Sequence, residues 1–166
     1  MALVRRAVLA DAAAIAAVHV ASWESTYEGV LPETFIAARG MAARLAFWTD
    51  CLRENDPAVC VFVACMEDGA VCGFASGGPE RTGELGIGWE LYSLYLLETA
   101  QGLGLGRRLV EAVLGELRTP AVAVWVLGVN PARAFYEHLG GRFLVEKRVE
   151  LGGLEFTEVA YDLGAR

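Results

Sequence analysis

Between Gln101 and Gly106 the chain places glycine at three alternate positions, Gln101-Gly102-Leu103-Gly104-Leu105-Gly106, and Arg107 and Arg108 follow at once. Three missing Cβ atoms in one turn free the backbone to take positive φ and let a ligand approach the main chain closely. Apolar residues at helical spacing come next, so the turn stands at a helix start. Unpaired N–H groups converge there and make an anion site. Arginines in a first helical turn oppose the helix dipole. Two of them together imply an anion nearby, and the stretch reads as the seat of a phosphate-bearing ligand.

The glycine spacing disfavours two familiar nucleotide loops. A dinucleotide fingerprint needs G-x-G-x-x-G and an acid about twenty residues on. Here Arg107 stands three residues after Gly104, and the later window, Ala121 to Trp125, holds no acid. A Walker A loop ends in Gly-Lys-Ser/Thr, which Gly106-Arg107-Arg108 does not supply.

The elements that must position this loop follow from periodicity. Leu3 to Leu9 reads as a strand, with Asp11 as N-cap of a helix from about Ala12 to about Trp23. Ile15, Val18, His19 and Ser22 share that helix's inner face, where His19 is a packing residue rather than a catalyst. Trp23 to Pro32 leaves the helix and turns at Gly29. Its aromatics, Trp23 and Tyr27, could line a substrate site or cap the core, and Glu24 and Glu28 could attract a cation. Pro32 to Arg39 and Met41 to Leu52 read as helical, with Leu45, Trp48 and Leu52 as an apolar stripe. Ala58 to Met66 and Ala70 to Ser76 form a hairpin about Asp68-Gly69. Gly77 to Gly88 reads as a mobile, glycine-rich loop. Trp89 to Leu97 is the strand before the glycine turn, and Leu105 to Leu117 the helix after it.

Ala121 to Leu127 is apolar on both faces, as a covered central strand requires. Asn130 and Pro131 then start a short helix that runs to Leu139 and stops at Gly140-Gly141. Arg142 to Leu151 and Leu154 to Asp162 close the chain as a hairpin. The apolar parity shifts between Phe156 and Val159, which predicts a bulge in the last strand. The fold class is α/β, one domain over residues 1–166, with a mixed central sheet flanked by helices in the order β-α-α-β-β-β-α-β-α-β-β.

Charge narrows the partners. Fourteen basic residues stand against 21 acidic, a net charge of −7, so no basic footprint for nucleic acid is present. The acidity is read as solubility. No apolar run reaches membrane-spanning length and no leader pattern precedes Asp11, so a cytoplasmic protein is expected. Cys51, Cys60, Cys65 and Cys72 lack metal-ligand spacing and read as reduced cysteines, the last three as small buried hydrophobes.

Gln101, Gly104 and Gly106 fit the pattern Gln/Arg-x-x-Gly-x-Gly/Ala between a strand and a helix. About thirty residues on stands Asn130-Pro-Ala-Arg-Ala-Phe-Tyr136-Glu-His-Leu-Gly-Gly-Arg-Phe143. Together these resemble the GNAT superfamily of N-acetyltransferases, which use acetyl-CoA as cosubstrate. Asp11, Trp23, Tyr27 and Pro32 also resemble one broad subgroup of it. Two departures are Glu98, where the family often has proline, and Gly141-Arg142-Phe143, where it often has Gly-Phe. The turn after the helix is expected to absorb the extra residue.

The resemblance implies attack by an unprotonated amine on the acetyl-CoA thioester, directly, in a ternary complex. The pyrophosphate would sit on the N–H groups of Gln101, Gly102, Leu103, Gly104, Leu105 and Gly106, with Arg107 beside it. The pantetheine arm would pair with the backbone of Leu94 and Leu96, and the Ala121–Leu127 strand would splay away. Backbone N–H groups of that second strand could polarise the thioester carbonyl. Tyr136 matches the family position that protonates the leaving thiolate, and it is otherwise a packing aromatic. Asn130 matches a cofactor contact and is equally an N-cap. Glu90, a carboxylate on a mostly apolar strand, is the candidate base with a raised pKa, or an exposed strand-start residue. Trp23, Tyr27 and Tyr92 are candidate acceptor contacts. The acceptor itself, an amine-bearing small molecule or a peptide N-terminus, is not legible. No metal, nucleic acid or membrane partner is expected, and relatives are often dimers, which admits a homodimer. The alternative is a catalytically silent sensor or interaction module that binds CoA or acetyl-CoA; another nucleotide-like ligand is a second one.

Overall fold

The structure, a computed structural model, describes residues 1–164. The chain runs β1 (Leu3–Arg6), α1 (Ala12–Tyr27), α2 (Glu33–Ala37), α3 (Met41–Glu54), β2 (Cys60–Cys65), β3 (Val71–Pro79), β4 (Trp89–Leu96), α4 (Leu105–Leu117), β5 (Ala123–Leu127), α5 (Ala132–His138), β6 (Arg142–Leu151) and β7 (Leu154–Asp162). The strands form one mixed sheet in the order β1-β2-β3-β4-β5-β7-β6. Among the described residues only the β4–β5 pair is parallel. Such a pair needs a crossover, and α4 supplies it. The expected α/β class and mixed sheet are present; three helices, α1 to α3, precede β2 where the expected order counted two.

Helices cover both faces. Leu105, Leu109, Val110 and Val113 of α4 bury one stripe against Ala64, Ala75, Leu91, Val124 and Val126, with Tyr136 and Leu139 beside them. Ile15, Ala16 and Val18 of α1 pack with Trp48 of α3 on Val61, Val63 and Phe74 across the sheet. Burying an aliphatic side chain of this size contributes about 1.5–3 kcal/mol.

β4 carries the feature that makes a site. Ser93 pairs with Ser76 and Leu91 with Gly77, so Tyr92 has no partner on β3. Such a bulge bends and twists its strand. The parallel pairing of β4 with β5 ends there, at Glu90↔Ala123 and Leu91↔Val124. Beyond Leu91 the two strands diverge, and a cleft opens between them.

Several local expectations are corrected. β1 stops at Arg6, and a 3-10 turn at Leu9–Asp11 precedes α1. Asp11 does not cap α1 with its side chain. Its carboxylate accepts from the Val8 N–H at 2.8 Å and from both terminal nitrogens of Arg5 at 2.8 and 3.0 Å. α1 runs past Trp23 to Tyr27, because Trp23 and Tyr27 continue the inner face from His19 at i+4 spacing, and Gly29 ends the turn at φ +76°. Gly77 and Gly78 belong to β3, since a Cβ at Gly78 would fall 2.6 Å from the Tyr92 hydroxyl.

The connection from Glu80 to Gly88 is braced where mobility was expected. The Glu80 carboxylate accepts from Thr82 and Gly83 N–H groups, and Lys147 Nζ donates to Glu84 at 3.0 Å. In the inner row of α3, Leu45 is 38% exposed, and Arg44 stands one turn before the buried Trp48 instead. The bulge of the closing hairpin lies in β6, between Phe143 and Val145, and β7 is regular. The parity shift in β7 marks a different change: from Val159 onward the strand is covered on both faces. The turn after α5 stays tight, with Gly140 at φ +87° and Gly141 N–H donating to the Tyr136 carbonyl at 2.9 Å. The unpaired residue next to it is Leu144.

Candidate functional site

The cleft has one edge of backbone groups. Leu97 N–H donates to the Cys72 carbonyl at 2.9 Å. Hydrogen-bonding direction alternates along a strand, so Tyr95 and Ser93 also face β3. Leu94 and Leu96 therefore turn their N–H and C=O groups toward the cleft. The Leu96 carbonyl meets Gln101 Nε2 there at 3.4 Å.

The glycine loop closes one end. Gly102 and Gly104 both have φ +76°, a region that disfavours any side chain, and nothing lies within 4 Å of where their Cβ atoms would be. Gly106 serves packing instead: a Cβ would stand 3.3 Å from both Leu96 Cδ1 and Phe135 Cζ. Gln101 N–H is occupied, donating to the Glu98 carbonyl at 3.2 Å. Among the described residues, the N–H groups from Gly102 to Arg107 have no partner within the chain. Open space, bare N–H groups and the positive end of α4 together fit an anion. The two arginine side chains are engaged elsewhere. Arg107 Nε pairs with Glu111 at 3.1 Å, and Arg108 Nη1 donates to the Ala2 carbonyl at 2.9 Å.

Three tyrosines, Tyr27 of α1, Tyr95 of β4 and Tyr136 of α5, come within electrostatic reach of one another. Tyr136 is 5% exposed, and among the described residues its hydroxyl has no hydrogen-bond partner. Burial raises its pKa, and the neighbouring Tyr95 and Tyr27 phenols add to the effect. Tyr27 is raised in the same way, by burial first and Tyr95 second. Asn130 donates from Nδ2 to the Tyr27 hydroxyl at 3.0 Å, while its Oδ1 accepts from the Ala132 N–H at 2.9 Å. Asn130 thus caps α5 and ties it to α1. Trp23 Nε1 donates to the Tyr95 hydroxyl at 3.0 Å, and its ring lies edge-on to Tyr27. The structure thus brings Trp23, Tyr27, Asn130 and Tyr136 together, residues to which the sequence gives separate roles; Tyr95 it does not single out.

Glu90 is neither free nor exposed. It is 1% accessible, and Arg81 holds it with Nη2 2.6 Å from Oε2, Nε 3.3 Å from Oε1 and its own N–H 3.1 Å from Oε1. Tyr92 supports the same arrangement. Its ring lies 4.3 Å from the Arg81 guanidinium, and its hydroxyl donates to the Pro79 carbonyl.

A carboxylate that the sequence expectation passed over lies nearby. Glu158 of β7 stands opposite Leu127, makes no ion pair among the described residues, and is half-buried. Burial raises its pKa, the Lys147 ammonium opposing, and Glu90 and Tyr27 are within its electrostatic reach. The signal was present in the sequence, since Glu158 shares parity with its apolar neighbours Phe156 and Ala160.

Other candidates are structural. His19 is 7% exposed, accepts from Trp48 Nε1 at 3.1 Å, and is pushed down to about 3 by burial, with Arg44 adding to it. Cys60, Cys65 and Cys72 are buried, and burial raises the Cys51, Cys60 and Cys72 thiols. Among the described residues no helix is long and apolar enough to cross a membrane.

Known proteins give the same outline. The model of the acetyltransferase (GNAT) family matches residues 17–141. The uncharacterized N-acetyltransferase YuaI of Bacillus subtilis is 35% identical over 162 residues, covering 96% of this chain and 91% of that one. Among solved structures, a chain from Desulfovibrio desulfuricans ascribed to the GNAT family superposes with a TM-score of 0.74 at 20% identity, covering 99% of each. The yncA protein of Salmonella typhimurium, solved with its cofactor acetyl-CoA, gives 0.73 at 22% identity, covering 100% of this chain and 95% of that one.

Proposed function

Since the chain belongs to the acetyltransferase (GNAT) family, we propose that it moves the acetyl group of acetyl-CoA onto an amine by direct attack in a ternary complex. The observation that carries this reading is the cleft between β4 and β5, which runs from the outward-facing backbone of Leu94 and Leu96 to the free N–H groups of Gly102–Arg107. A long ligand with a peptide-like arm and a pyrophosphate end matches that sequence of groups.

Acetyl-CoA supplies an acetyl group activated as a thioester. Leu94 and Leu96 align the arm, and the N–H groups of Gly102 to Gly106 hold the phosphates. Arg107 stands at the rim of that seat, and Gln101 closes it by holding the Leu96 carbonyl. Trp125 and Leu127 of β5 offer backbone N–H groups to the thioester oxygen as charge develops on it. Glu158 takes the proton of the incoming ammonium. The amine lone pair then forms the C–N bond at the thioester carbon, the C–S bond breaks, and the nitrogen gives up its second proton through water, which restores the proton that Tyr136 supplies. Tyr136 gives its phenolic proton, or a strong hydrogen bond, to the leaving sulfur. Its raised pKa keeps it protonated at neutral pH, as that role needs. Glu90 holds Arg81 and the 80–88 connection in place and has no part in the proton transfer. Unpaired cysteines suit a reducing, cytoplasmic setting.

Calorimetry with acetyl-CoA tests the reading, followed by detection of free CoA thiol with a panel of amines. Binding with amine-dependent thiol release is expected. Absence of binding at millimolar acetyl-CoA overturns the whole reading, and binding without release from any amine overturns the catalytic part.

A further inference from the structure

Arg44 is a cation without a counter-charge. It stands on the inner row of α3, beside Trp23 of α1 and the Tyr95 phenol of β4. Its guanidinium lies 4.9 Å from the Trp23 ring. Nε and Nη2 are shielded from solvent and have no hydrogen-bond partner. Arg44 makes no ion pair among the described residues. Glu24 of α1 and Glu28 just after it are exposed. The next cation, Arg39, adds like charge; it sits over the Phe35 ring at 3.7 Å and donates to the Phe35 carbonyl. Burying unpaired guanidinium donors is costly. Arginine is also the side chain whose fork fits a carboxylate.

The opposite pole lies across the tyrosines. Tyr95 is within electrostatic reach of Arg44, and Tyr27 of both Tyr95 and Glu158. We infer that the acceptor is a zwitterion of the amino-acid class, whose carboxylate is received by Arg44 while its amine faces Glu158. This rests on the acetyl-transfer reading for the fate of the amine. The anion site itself stands on the orphaned donors of Arg44.

The test titrates the CoA-bound protein with the twenty L-α-amino acids and, for each that binds, its methyl ester and its decarboxylated amine. Thiol release from acetyl-CoA is measured in parallel. A free carboxylate is expected to bind about ten- to a hundredfold tighter than either neutralised analogue, the usual worth of a charged hydrogen bond. Arg44→Met should erase that preference while leaving the acetyl-CoA affinity and melting temperature in place. Arg44→Lys should recover part of it. Amines lacking a carboxylate that bind and react as well as the amino acids overturn the inference and leave acetyl transfer standing. Arg44-dependent binding without thiol release supports the anion site and overturns the transfer. If no amino acid binds, or if binding is indifferent to Arg44→Met, the inference falls.

Discussion

Asn130 joins the end of α1 to the start of α5 through its Nδ2 donor on the Tyr27 hydroxyl, 3.0 Å away. One side chain therefore sets both Tyr27 and the helix that carries Tyr136. Asn130→Asp keeps the capping oxygen and loses the donor, whereas Asn130→Ala loses both. The expected order of stability is wild type, Asp, Ala, with Ala about 1–2 kcal/mol below wild type by chemical denaturation. A double-mutant cycle with Tyr27→Phe should show a coupling of about 1 kcal/mol, and strict additivity would mean the two side chains do not interact.

The Arg81 fork divides the two candidate carboxylates. A base must be deprotonated, so activity falls as pH drops through its pKa. For Glu158, whose pKa burial raises, that fall lies above the ordinary carboxylate range. Glu158→Gln should remove this acidic limb from the profile of kcat/KM and lower the plateau by about 10²–10⁴. Glu90→Gln should keep the limb and cost about 1–3 kcal/mol of stability through the lost partner of Arg81. The reverse pattern would return the base role to Glu90.

What was legible in the sequence divides along the same line. The glycine loop, the α4 boundaries and the Asn130–Tyr136 helix could be read because each depends on residues adjacent in the chain. The spacing could not show that Arg81 turns back onto Glu90, since the fork depends on how the 80–88 connection folds. It could not show that β4 bulges at Tyr92, since a bulge is defined by the register of the partner strand. Arg44 stood on the helical row of Trp48, and Glu158 on the parity of Phe156. Both were visible as charges on apolar faces, but only the packing of α3 and β7 told which acid or cation lacked a partner.

Tyr136→Phe separates proton donation from packing. The ring stays buried beside Phe135, so acetyl-CoA affinity and the melting temperature should change little. Turnover should fall about 10²–10⁴, the usual worth of a positioned acid. In the wild type the alkaline loss of activity through Tyr136 should lie above the ordinary phenol range, because burial raises its pKa. Unchanged turnover in the variant would leave Tyr136 as a packing residue.

Gly104 enters α4 at φ +76° with open space before it. Gly104→Ala meets no atom but strains the backbone by about 1–2 kcal/mol. The strain shifts the N–H groups of the loop, so acetyl-CoA affinity should drop about tenfold while the far-ultraviolet spectrum is retained, since 1.4 kcal/mol is a factor of ten. Gly106→Ala acts differently, pressing on Leu96 and Phe135, and should lower the melting temperature as well. Equal behaviour of the two variants in calorimetry and thermal melts would contradict the separate roles assigned to these glycines.

His19 makes the acid side of the stability curve informative. Folded, it is held to about 3; unfolded, its ordinary value is 6.5. The depressed pKa belongs to the folded state, so the unfolded chain binds the extra proton. Above about pH 6.5 both states are neutral at this site and there is no penalty. As pH falls from 6.5 toward 3 the unfolded state gains a proton that the folded state refuses, and stability declines, on the order of 4 kcal/mol over the full window. Asp11, lowered by its hydrogen bonds from Arg5, adds a loss of the same sign only below its ordinary value of 3.8. His19→Gln removes the titrating group and should flatten the decline between pH 6.5 and 4.5, at the cost of a fixed loss from poorer packing against Trp48 and Tyr95. Urea denaturation at several pH values measures both quantities, and parallel curves for the two proteins would show that His19 is not the group that titrates.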